Sequence, residues 1–232
     1  MEQNSADDQY DGCTKEMAKK VETKYLNNEI NTSPNFKTAW KKGKEFVKTP
    51  DILSENHKIA IYVYSDASIY KDFNSDTRSG KEQYKDGTYK WYSLYFLLTD
   101  AIQILKKTQN KCYSTCHGTD VKFDENVLNT EVRFGSFASS SICRDKTTFF
   151  GNKSCFEIDT CLGAEVTEYS KLPYEKEVLI PPYEKFKVTK VRTKQYQKDL
   201  WCDTVLTLES FGMKSDLNCA VAQKDTANLY SY

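Results

Sequence analysis

The segment Glu175-Lys176-Glu177-Val178-Leu179-Ile180-Pro181-Pro182 places two carboxylates directly before a continuous apolar run. The run predicts a buried strand, and the strand ends at the two prolines because proline cannot donate ladder hydrogen bonds. Side chains at positions i and i+2 of an extended chain point the same way, so we expect Glu175 and Glu177 to lie side by side near a partly buried surface. Paired acids in such a place are costly unless a ligand or partner uses them. The segment is therefore the leading candidate for a functional site.

Helical patterns fill the chain before this segment. Residues 14–30 and 33–47 carry apolar side chains at helical spacing, and Ser33-Pro34 predicts the start of the second helix. The longest helix is predicted over 84–106, where the apolar side chains fall on one face. That face should dock on a sheet.

Strand patterns dominate the second half of the chain. From Cys112 onward, glycines and prolines separate short runs rich in Val, Phe, Thr and Tyr. In the first half, the β-branched and aromatic run from His57 to Ser65 also predicts a strand or extended segment. Helices first and strands second favour an α+β fold over an alternating α/β sheet. We expect a single domain over 1–232, with a mainly helical part over 1–110 and a β-rich part over 111–232.

Charge and hydropathy exclude several classes of protein. Lys plus Arg and Asp plus Glu both number 33, so no net positive field would attract nucleic acid or an acidic membrane. The densest apolar stretch, Tyr92 to Leu105, is too short and too polar for a membrane span. We therefore expect a soluble, monomeric domain without nucleic-acid partners.

The eight cysteines indicate an oxidising compartment. They are widely spread, form no C-x-x-C pair and accompany only two histidines, whereas a zinc site needs clustered ligands. Disulfides are the better interpretation, and no metal is expected. Two glycosylation sequons, at Asn31 and Asn152, favour the same compartment. We expect the chain to be secreted or to lie on the extracellular face of a membrane.

Two further segments carry side chains suited to ligand binding. His117-Gly118 ends a predicted strand, where glycine would let the backbone approach a ligand and the imidazole could donate a hydrogen bond. Ser139, Ser140 and Ser141 follow another strand-like segment. Taken alone, both have plain structural interpretations, as a packed histidine and as a loop or helix cap.

Taken together and in this order, the segments resemble the vertebrate arginine-specific ecto-ADP-ribosyltransferase family, whose signature is an Arg, then a Ser-x-Ser strand, then Glu-x-Glu. The resemblance implies the ADP-ribosyltransferase fold, in which N-terminal helices pack on two β-sheets with an NAD cleft between them. It spans nearly the whole chain and is carried by Tyr10 to Thr14, Phe36 to Trp40, Ile59 to Tyr64, Tyr70, Phe73, Asn74, Leu94 to Leu105, Arg133 to Ser141, Thr160 to Ala164, Glu177 to Tyr183 and Asn218-Cys219.

The resemblance assigns roles to the two acids and the first serine. Glu177 would be the catalytic glutamate, bonding the nicotinamide-ribose 2′-hydroxyl and stabilising the positive charge that develops as nicotinamide leaves. Glu175 would position the acceptor guanidinium, so protein acceptors with exposed arginine are expected. Ser139 would orient Glu177 and the NAD ribose. The implied substrate is NAD, with NADP as an alternative.

Further NAD contacts are implied at Ser141, which would close the strand, and at Phe137 and Tyr64, which would contact nicotinamide. The family has Arg where this chain has His117, and His offers at most two donors instead of five. A His-Gly at this place resembles the poly-ADP-ribose polymerase and diphtheria-toxin branch, where His bonds the ribose and nicotinamide side of NAD. We therefore expect the turn formed by His117, Gly118 and Thr119 to bind NAD. By the same resemblance, His117 is also expected to be a catalytic residue.

Three functions remain open. The first is an active arginine-specific mono-ADP-ribosyltransferase that also hydrolyses NAD slowly. The second is a catalytically silent NAD-binding or surface-recognition domain, motivated by the missing Arg. The third, a hydrolase built on paired acids, has little support because the chain offers no His base beyond His117 and no metal cluster.

By the same resemblance, disulfides would join Cys13 to Cys219 and Cys112 to Cys161. The remaining four cysteines have no family counterpart. Cys143 and Cys155 are close in sequence and are the candidate pair for a third disulfide. Cys116 and Cys202 would then form the fourth. Alternatively, Cys116 is a free thiol beside the site.

Overall fold

The computed structural model describes residues 2–47, 50–142 and 151–223. Its N-terminal layer is helical, as predicted. A π-helical turn, Val21–Tyr25, links the first two helices. The helices are α1 (Thr14–Lys20), α2 (Leu26–Thr32), α3 (Pro34–Phe46), α4 (Glu55–Tyr64), α5 (Ala67–Arg78), α6 (Lys81–Asp86) and α7 (Tyr92–Gln109). Within the described ranges, no helix combines the length and the apolar character needed to cross a bilayer.

Helix starts follow local capping chemistry. The Ser33 hydroxyl accepts a hydrogen bond from the Phe36 amide at 3.3 Å and Pro34 is the first residue of α3, which confirms the predicted start. The Asp66 carboxylate accepts from the Ser68 amide at 3.0 Å and begins α5. This second cap matters for the site because it fixes the turn between α4 and α5.

The strand predicted over His57 to Ser65 is wrong, because these residues lie in α4 or immediately follow it. Ser54 and His57 form a capping box that starts the helix, and the side chains from His57 to Tyr64 are all buried. A short run whose residues are nearly all apolar shows neither the helical nor the strand spacing of polar residues. From the sequence alone, a buried helix therefore cannot be distinguished from a buried strand.

The long helix predicted over 84–106 is two helices. Gly87 has a φ of 94°, a left-handed conformation that ends α6, and α7 begins only at Tyr92. The apolar face of α7 was predicted correctly: it includes Leu94, Leu98 and Ile102, each no more than 1% exposed.

Eight strands form the second layer among the described residues. They are β1 (Tyr113–Thr119), β2 (Glu131–Val132), β3 (Ala138–Ile142), β4 (Ser154–Thr160), β5 (Ala164–Glu165), β6 (Glu177–Ile180), β7 (Glu184–Thr193) and β8 (Thr204–Met213). Their order is β2-β7-β8-β4-β1-β3-β6-β5. The α+β class is confirmed, but the two sheets expected from the resemblance form one hydrogen-bonded sheet here, because β4 pairs with both β1 and β8.

Strand β6 is buried on both faces. Leu179 packs into the core shared with the helices, whereas Ile180 packs into a second core with Phe156, Phe186 and Leu208. Successive side chains of a strand point to opposite faces, so burial on both sides requires an uninterrupted apolar run. This explains the sequence Val178-Leu179-Ile180 and confirms the predicted strand.

The disulfides confirm two pairings and correct the others. Cys13–Cys219 and Cys112–Cys161 are formed, with Cα–Cα distances of 5.9 and 4.2 Å. Cys155 pairs with Cys202, so the expected Cys143–Cys155 and Cys116–Cys202 bridges are both wrong. Cys116 is disulfide-bonded and therefore not a free thiol. Cys143 itself lies outside the described residues.

Candidate active site

Glu177 is the first residue of β6, and its side chain is enclosed. The residue is only 3% exposed, and burial raises the pKa of its carboxyl group. Hydrogen bonds from the Ser139 and Ser170 hydroxyls partly offset this effect because they stabilise the ionised form. The site therefore holds a poorly hydrated carboxylate in a defined orientation.

The sheet register brings the serine strand to Glu177. Ser141 of β3 is directly paired with Glu177, and Cys116 of β1 is directly paired with Ser141. Directly paired residues share a face, and Ser139 shares it too because it lies two residues from Ser141. Leu179, on the same face of β6, packs against the helices. Glu177, Ser139 and Ser141 thus face the helical layer.

Glu175 reaches the site by a different route from the one expected. It ends a 3-10 turn, Pro173–Glu175, and Lys176 has a left-handed φ of 48°, so the chain from Glu175 to Glu177 is not extended. The prediction that Glu175 and Glu177 point the same way from an extended segment is therefore wrong. Burial raises the pKa of Glu175, and the charge of Glu177 raises it further, so the two carboxyl groups are close enough to interact.

The loop that carries Glu175 is closed at its ends and held at its middle. The Val166 amide donates to the Glu177 carbonyl at 2.9 Å. The Lys171 amide donates to the Ser65 hydroxyl at 2.9 Å, and its ammonium group pairs with Asp66 at 3.0 Å. The Lys171 contacts tie the loop to the turn between α4 and α5. Sequence reasoning missed them, since no motif relates residues so far apart in the chain.

Ser170 is a second residue that the sequence analysis missed. It is buried, its hydroxyl accepts from the Leu172 amide at 3.2 Å, and it also bonds the Glu177 carboxylate. One hydroxyl thereby connects the loop backbone with Glu177. A lone serine within a loop gives no sequence signal of such a role.

His117 contacts the site by a hydrogen bond between its imidazole and the main chain of Ser139. Its directly paired residue is Phe156 of the second core, and the two rings lie 6.3 Å apart. Burial lowers the pKa of His117, and a hydrogen bond to the Ser139 backbone opposes the shift. The imidazole therefore supports the residue that holds Glu177.

Gly118 and Thr119 complete β1. A side chain at Gly118 would collide with the Gly151 carbonyl oxygen, so the close approach that requires glycine is made by the protein's own backbone. The Thr119 hydroxyl accepts from the Val121 amide at 3.2 Å. A contact between these residues and NAD stays a prediction.

Tyr64 and Phe137 are packed between the helices and the sheet. Phe137 is 1% exposed and stacks on Phe73 at 5.6 Å, so its ring contributes to packing and offers no surface to a ligand. The Tyr64 hydroxyl donates to the Phe137 carbonyl at 3.1 Å. Burial raises the pKa of Tyr64, and the nearby charge of Glu177 raises it further. Tyr64 is thus beside the carboxylate.

A further buried acid, Glu184, supports the sheet at the start of β7. It accepts hydrogen bonds from the Thr160 hydroxyl at 2.6 Å, the Cys161 amide at 2.8 Å and the Ser210 hydroxyl at 2.7 Å. Burial raises the pKa of Glu184, and these hydrogen bonds offset part of the rise because they stabilise the ionised form. Glu184 is fully engaged and so is a structural acid rather than a second catalytic one.

Comparisons with known proteins agree with this geometry. Residues 1–214 match the family model described as NAD:arginine ADP-ribosyltransferase. The chain is 34% identical to NAD(P)(+)--arginine ADP-ribosyltransferase 2 of Gallus gallus, over 94% of this chain and 71% of that protein. It is also 34% identical to ecto-ADP-ribosyltransferase 4 of Homo sapiens, over 93% of this chain and 70% of that protein.

Solved structures give the same result. The crystal structure of the eukaryotic mono-ADP-ribosyltransferase ART2.2 is 31% identical, with a TM-score of 0.77, over 93% of this chain and 95% of that one. A mutant of ART2.2 in complex with NAD matches over the same shares, with a TM-score of 0.76. Exoenzyme S from Pseudomonas aeruginosa, at 17% identity and a TM-score of 0.58, shares the fold.

Proposed function

We propose that this chain, which belongs to the NAD:arginine ADP-ribosyltransferase family, transfers ADP-ribose from NAD to arginine side chains of acceptor proteins and releases nicotinamide. The observation that carries the proposal is the enclosed Glu177 carboxylate, held by Ser139, with Glu175 beside it. In the reaction, the bond from the ribose C1′ to the nicotinamide nitrogen breaks, and a bond from C1′ to a guanidinium nitrogen forms as that nitrogen loses a proton.

Glu177 is suited to stabilise the transition state. Positive charge develops on the ribose as nicotinamide leaves, and a carboxylate with little water around it interacts strongly with that charge. One well-placed group of this kind contributes about 3 to 4 kcal/mol. Because Ser139 and Ser170 fix the carboxylate before the substrate arrives, little reorganisation is needed during the reaction.

Glu175 is suited to the acceptor. A carboxylate binds a guanidinium through two parallel hydrogen bonds, and lysine cannot reproduce that geometry. Its raised pKa also makes Glu175 a better proton acceptor than an ordinary surface carboxylate. We assign it both the positioning of the acceptor arginine and the uptake of its proton.

His117, Gly118 and Thr119 are proposed to lie along the bound NAD at the end of β1, with Ser141 beside Glu177. The lowered pKa of His117 favours a neutral imidazole, which can donate one hydrogen bond but supplies no charge. His117 therefore contributes by orienting Ser139 rather than by attracting phosphate.

We propose that the protein acts on the extracellular side of the membrane. The disulfides Cys13–Cys219, Cys112–Cys161 and Cys155–Cys202 brace the described part of the chain, and disulfides persist in oxidising compartments. Several relatives are named ecto-enzymes. Acceptors would then be secreted or cell-surface proteins with exposed arginine.

The test is incubation of the purified protein with labelled NAD and agmatine, a small guanidinium acceptor. Wild-type protein should release nicotinamide and label agmatine, whereas Glu177→Gln should lose about 100-fold or more of both activities. Glu209→Gln, an exposed acid on β8, is the matched control and should retain activity. Undiminished transfer by Glu177→Gln would refute the assignment. NAD binding by wild type without nicotinamide release would support a silent domain instead.

A further inference from the structure

The two acids of the site are held in place by different parts of the fold. Glu177 belongs to β6, which pairs with β3 and β5, so the sheet fixes its main chain. Glu175 lies outside the strands, in the 3-10 turn Pro173–Glu175 of the loop between β5 and β6. The position of Glu175 therefore depends on the contacts that hold this loop.

Two neighbouring residues of the loop contact different parts of the molecule. The Ser170 hydroxyl bonds the Glu177 carboxylate, and the Ser170 amide donates to the carbonyl of Val166, which follows β5, at 3.1 Å. Lys171 instead contacts the turn between α4 and α5, through its amide at 2.9 Å and through its ammonium group at 3.0 Å. The support of Glu177 is thus separate from the contacts of Lys171.

The turn that Lys171 contacts is itself well fixed. The Asp66 carboxylate accepts hydrogen bonds from the Ser68 amide at 3.0 Å and from the Ser68 hydroxyl at 2.7 Å. The Ser65 hydroxyl donates to the Tyr62 carbonyl of α4 at 2.8 Å. Burial would raise the pKa of Asp66, but the bonds from Ser68 and from the Lys171 ammonium group outweigh it and lower the pKa to about 2. Asp66 is therefore an ionised anchor whose position is set by both helices.

The chain from Lys171 to Glu175 is short and internally hydrogen-bonded. The Leu172 amide donates to the Ser170 hydroxyl at 3.2 Å, and the Glu175 amide donates to the Leu172 carbonyl at 3.0 Å. Pro173 has a fixed φ and stiffens the same turn. A displacement of Lys171 is therefore passed on to Glu175, four residues later in the chain.

We propose that Lys171 is a positioning residue for the acceptor: by tying the loop to Asp66 and Ser65, it holds the Glu175 carboxylate where it can bind the acceptor guanidinium. The inference rests on the proposed function and deepens it, because Lys171 would set acceptor affinity by acting through Glu175. A guanidinium donates two parallel hydrogen bonds to one carboxylate, so a small displacement of that carboxylate costs affinity. Cleavage of NAD should not depend on Lys171, because the sheet and Ser170 hold Glu177.

The test measures the KM for agmatine and, without agmatine, kcat/KM for NAD hydrolysis. Lys171→Met removes the charge and keeps a long side chain. It should raise the KM for agmatine by about 5-fold and change hydrolysis by less than about 2-fold. Lys171→Arg keeps the cation and should restore most of the affinity for agmatine. Lys194→Met is the matched control: the Lys194 side chain is 42% exposed, against 40% for Lys171, and pairs with Asp203 away from the loop, so its loss should leave both values unchanged.

Asp66→Asn removes the same ion pair from the other side. Asparagine keeps an oxygen for the Ser68 amide, so α5 retains its cap. This variant should raise the KM for agmatine as much as Lys171→Met does, and combining the two should add no further loss, because they break one interaction. Melting temperatures report the stability of each variant. A purely structural contact would lower them without changing the ratio of transfer to hydrolysis.

Two results would overturn the inference while leaving the proposed function intact. One is an unchanged KM for agmatine in both Lys171→Met and Asp66→Asn. The other is an equal loss of transfer and hydrolysis in these variants, which would mean that the contact supports the whole site. Wild type that releases nicotinamide but never labels agmatine would instead refute the arginine transfer on which the inference rests.

Discussion

Ser139 bonds Glu177 across a diagonal of the β3–β6 ladder, because its directly paired residue is Leu179. Diagonal neighbours on one face lie about 7 to 8 Å apart at Cα, a gap that a long glutamate side chain and a serine hydroxyl can close. Directly opposite Glu177 is Ser141. The three residues are therefore set by strand register, and a slip of one residue would turn all of β6 to the wrong face.

Replacing Ser170 tests the second support of Glu177. Ser170→Ala removes a hydrogen bond that favours the ionised carboxylate, so the pKa of Glu177 should rise further. Since the carboxylate is the active form, the acidic limb of the pH dependence of kcat/KM should move to higher pH. The loss of kcat/KM near neutrality should be about 10-fold.

The measurement is nicotinamide release across the pH range, with Ser79→Ala as the control. Ser79 is exposed and, within the described part of the chain, its hydroxyl donates only to the Ser75 carbonyl, so its loss should change neither rate nor profile. A Ser170→Ala profile that falls in amplitude without moving along the pH axis would show that Ser170 acts on the fold and not on the Glu177 charge.

Replacing Glu175 should separate the two activities. Glu175→Gln keeps the size of the side chain but loses the bidentate carboxylate, so transfer to agmatine should fall by about 10-fold or more while NAD hydrolysis continues. The readout is the ratio of labelled agmatine to released nicotinamide. Glu177→Gln is the contrasting variant, since it should lower both. A constant ratio in Glu175→Gln would remove Glu175 from acceptor recognition.

The sequence predicted the parts of the site that lie in contiguous motifs. Glu177 and Ser139 each sit in a short strand whose pattern and family resemblance are visible without a structure. Ser170 was not predicted as a site residue, because its relevance depends on how the loop before β6 folds against the sheet. Motif recognition finds residues within a segment, whereas tertiary packing decides which segments meet.

Two errors have local physical causes. The run from His57 to Ser65 was predicted as a strand because β-branched and aromatic residues favour strands, yet complete burial between helices and a Ser54 cap make it helical. The pairing of Cys155 was predicted from short sequence distance. Its true partner, Cys202, lies two residues before the start of β8, which runs parallel to β4 and brings the two cysteines together.

The N-terminal segment should depend on one buried ion pair. Arg133 and Asp7 are 2.7 Å apart and both side chains are 0% exposed. Asp7 also accepts from the Asp216 and Leu217 amides, so it joins the N-terminal segment to the end of the sheet. Arg133→Ala leaves this charge buried without its partner and should lower the free energy of unfolding by about 3 to 5 kcal/mol.

Urea denaturation provides the measurement, and the exposed pair Lys153–Asp203 provides the control. Lys153→Ala should change the free energy of unfolding by less than about 1 kcal/mol, because solvent screens surface pairs. If the two variants lost equal stability, the buried pair would not be the attachment point that its geometry suggests.

Glu29 should make stability depend on pH. It lies in α2, is 6% exposed and accepts hydrogen bonds from the Ser93 amide at 3.1 and 3.2 Å, where it caps α7. Burial raises its pKa from 4.5 to about 8. Between those values the folded state binds the proton more tightly than the unfolded state, so the free energy of unfolding falls as pH rises.

Glu29→Gln keeps an acceptor for the Ser93 amide and cannot ionise. Its stability relative to wild type should therefore increase with pH from about 5 to about 8 and level off above that range. Denaturation midpoints at pH 5, 7 and 9 measure the difference, and Glu22→Gln, an exposed glutamate in the π-helical turn next to α2, should run parallel to wild type. Parallel curves for Glu29→Gln as well would mean that Glu29 stays ionised in the fold, with the α7 N-terminus outweighing the cost of its burial.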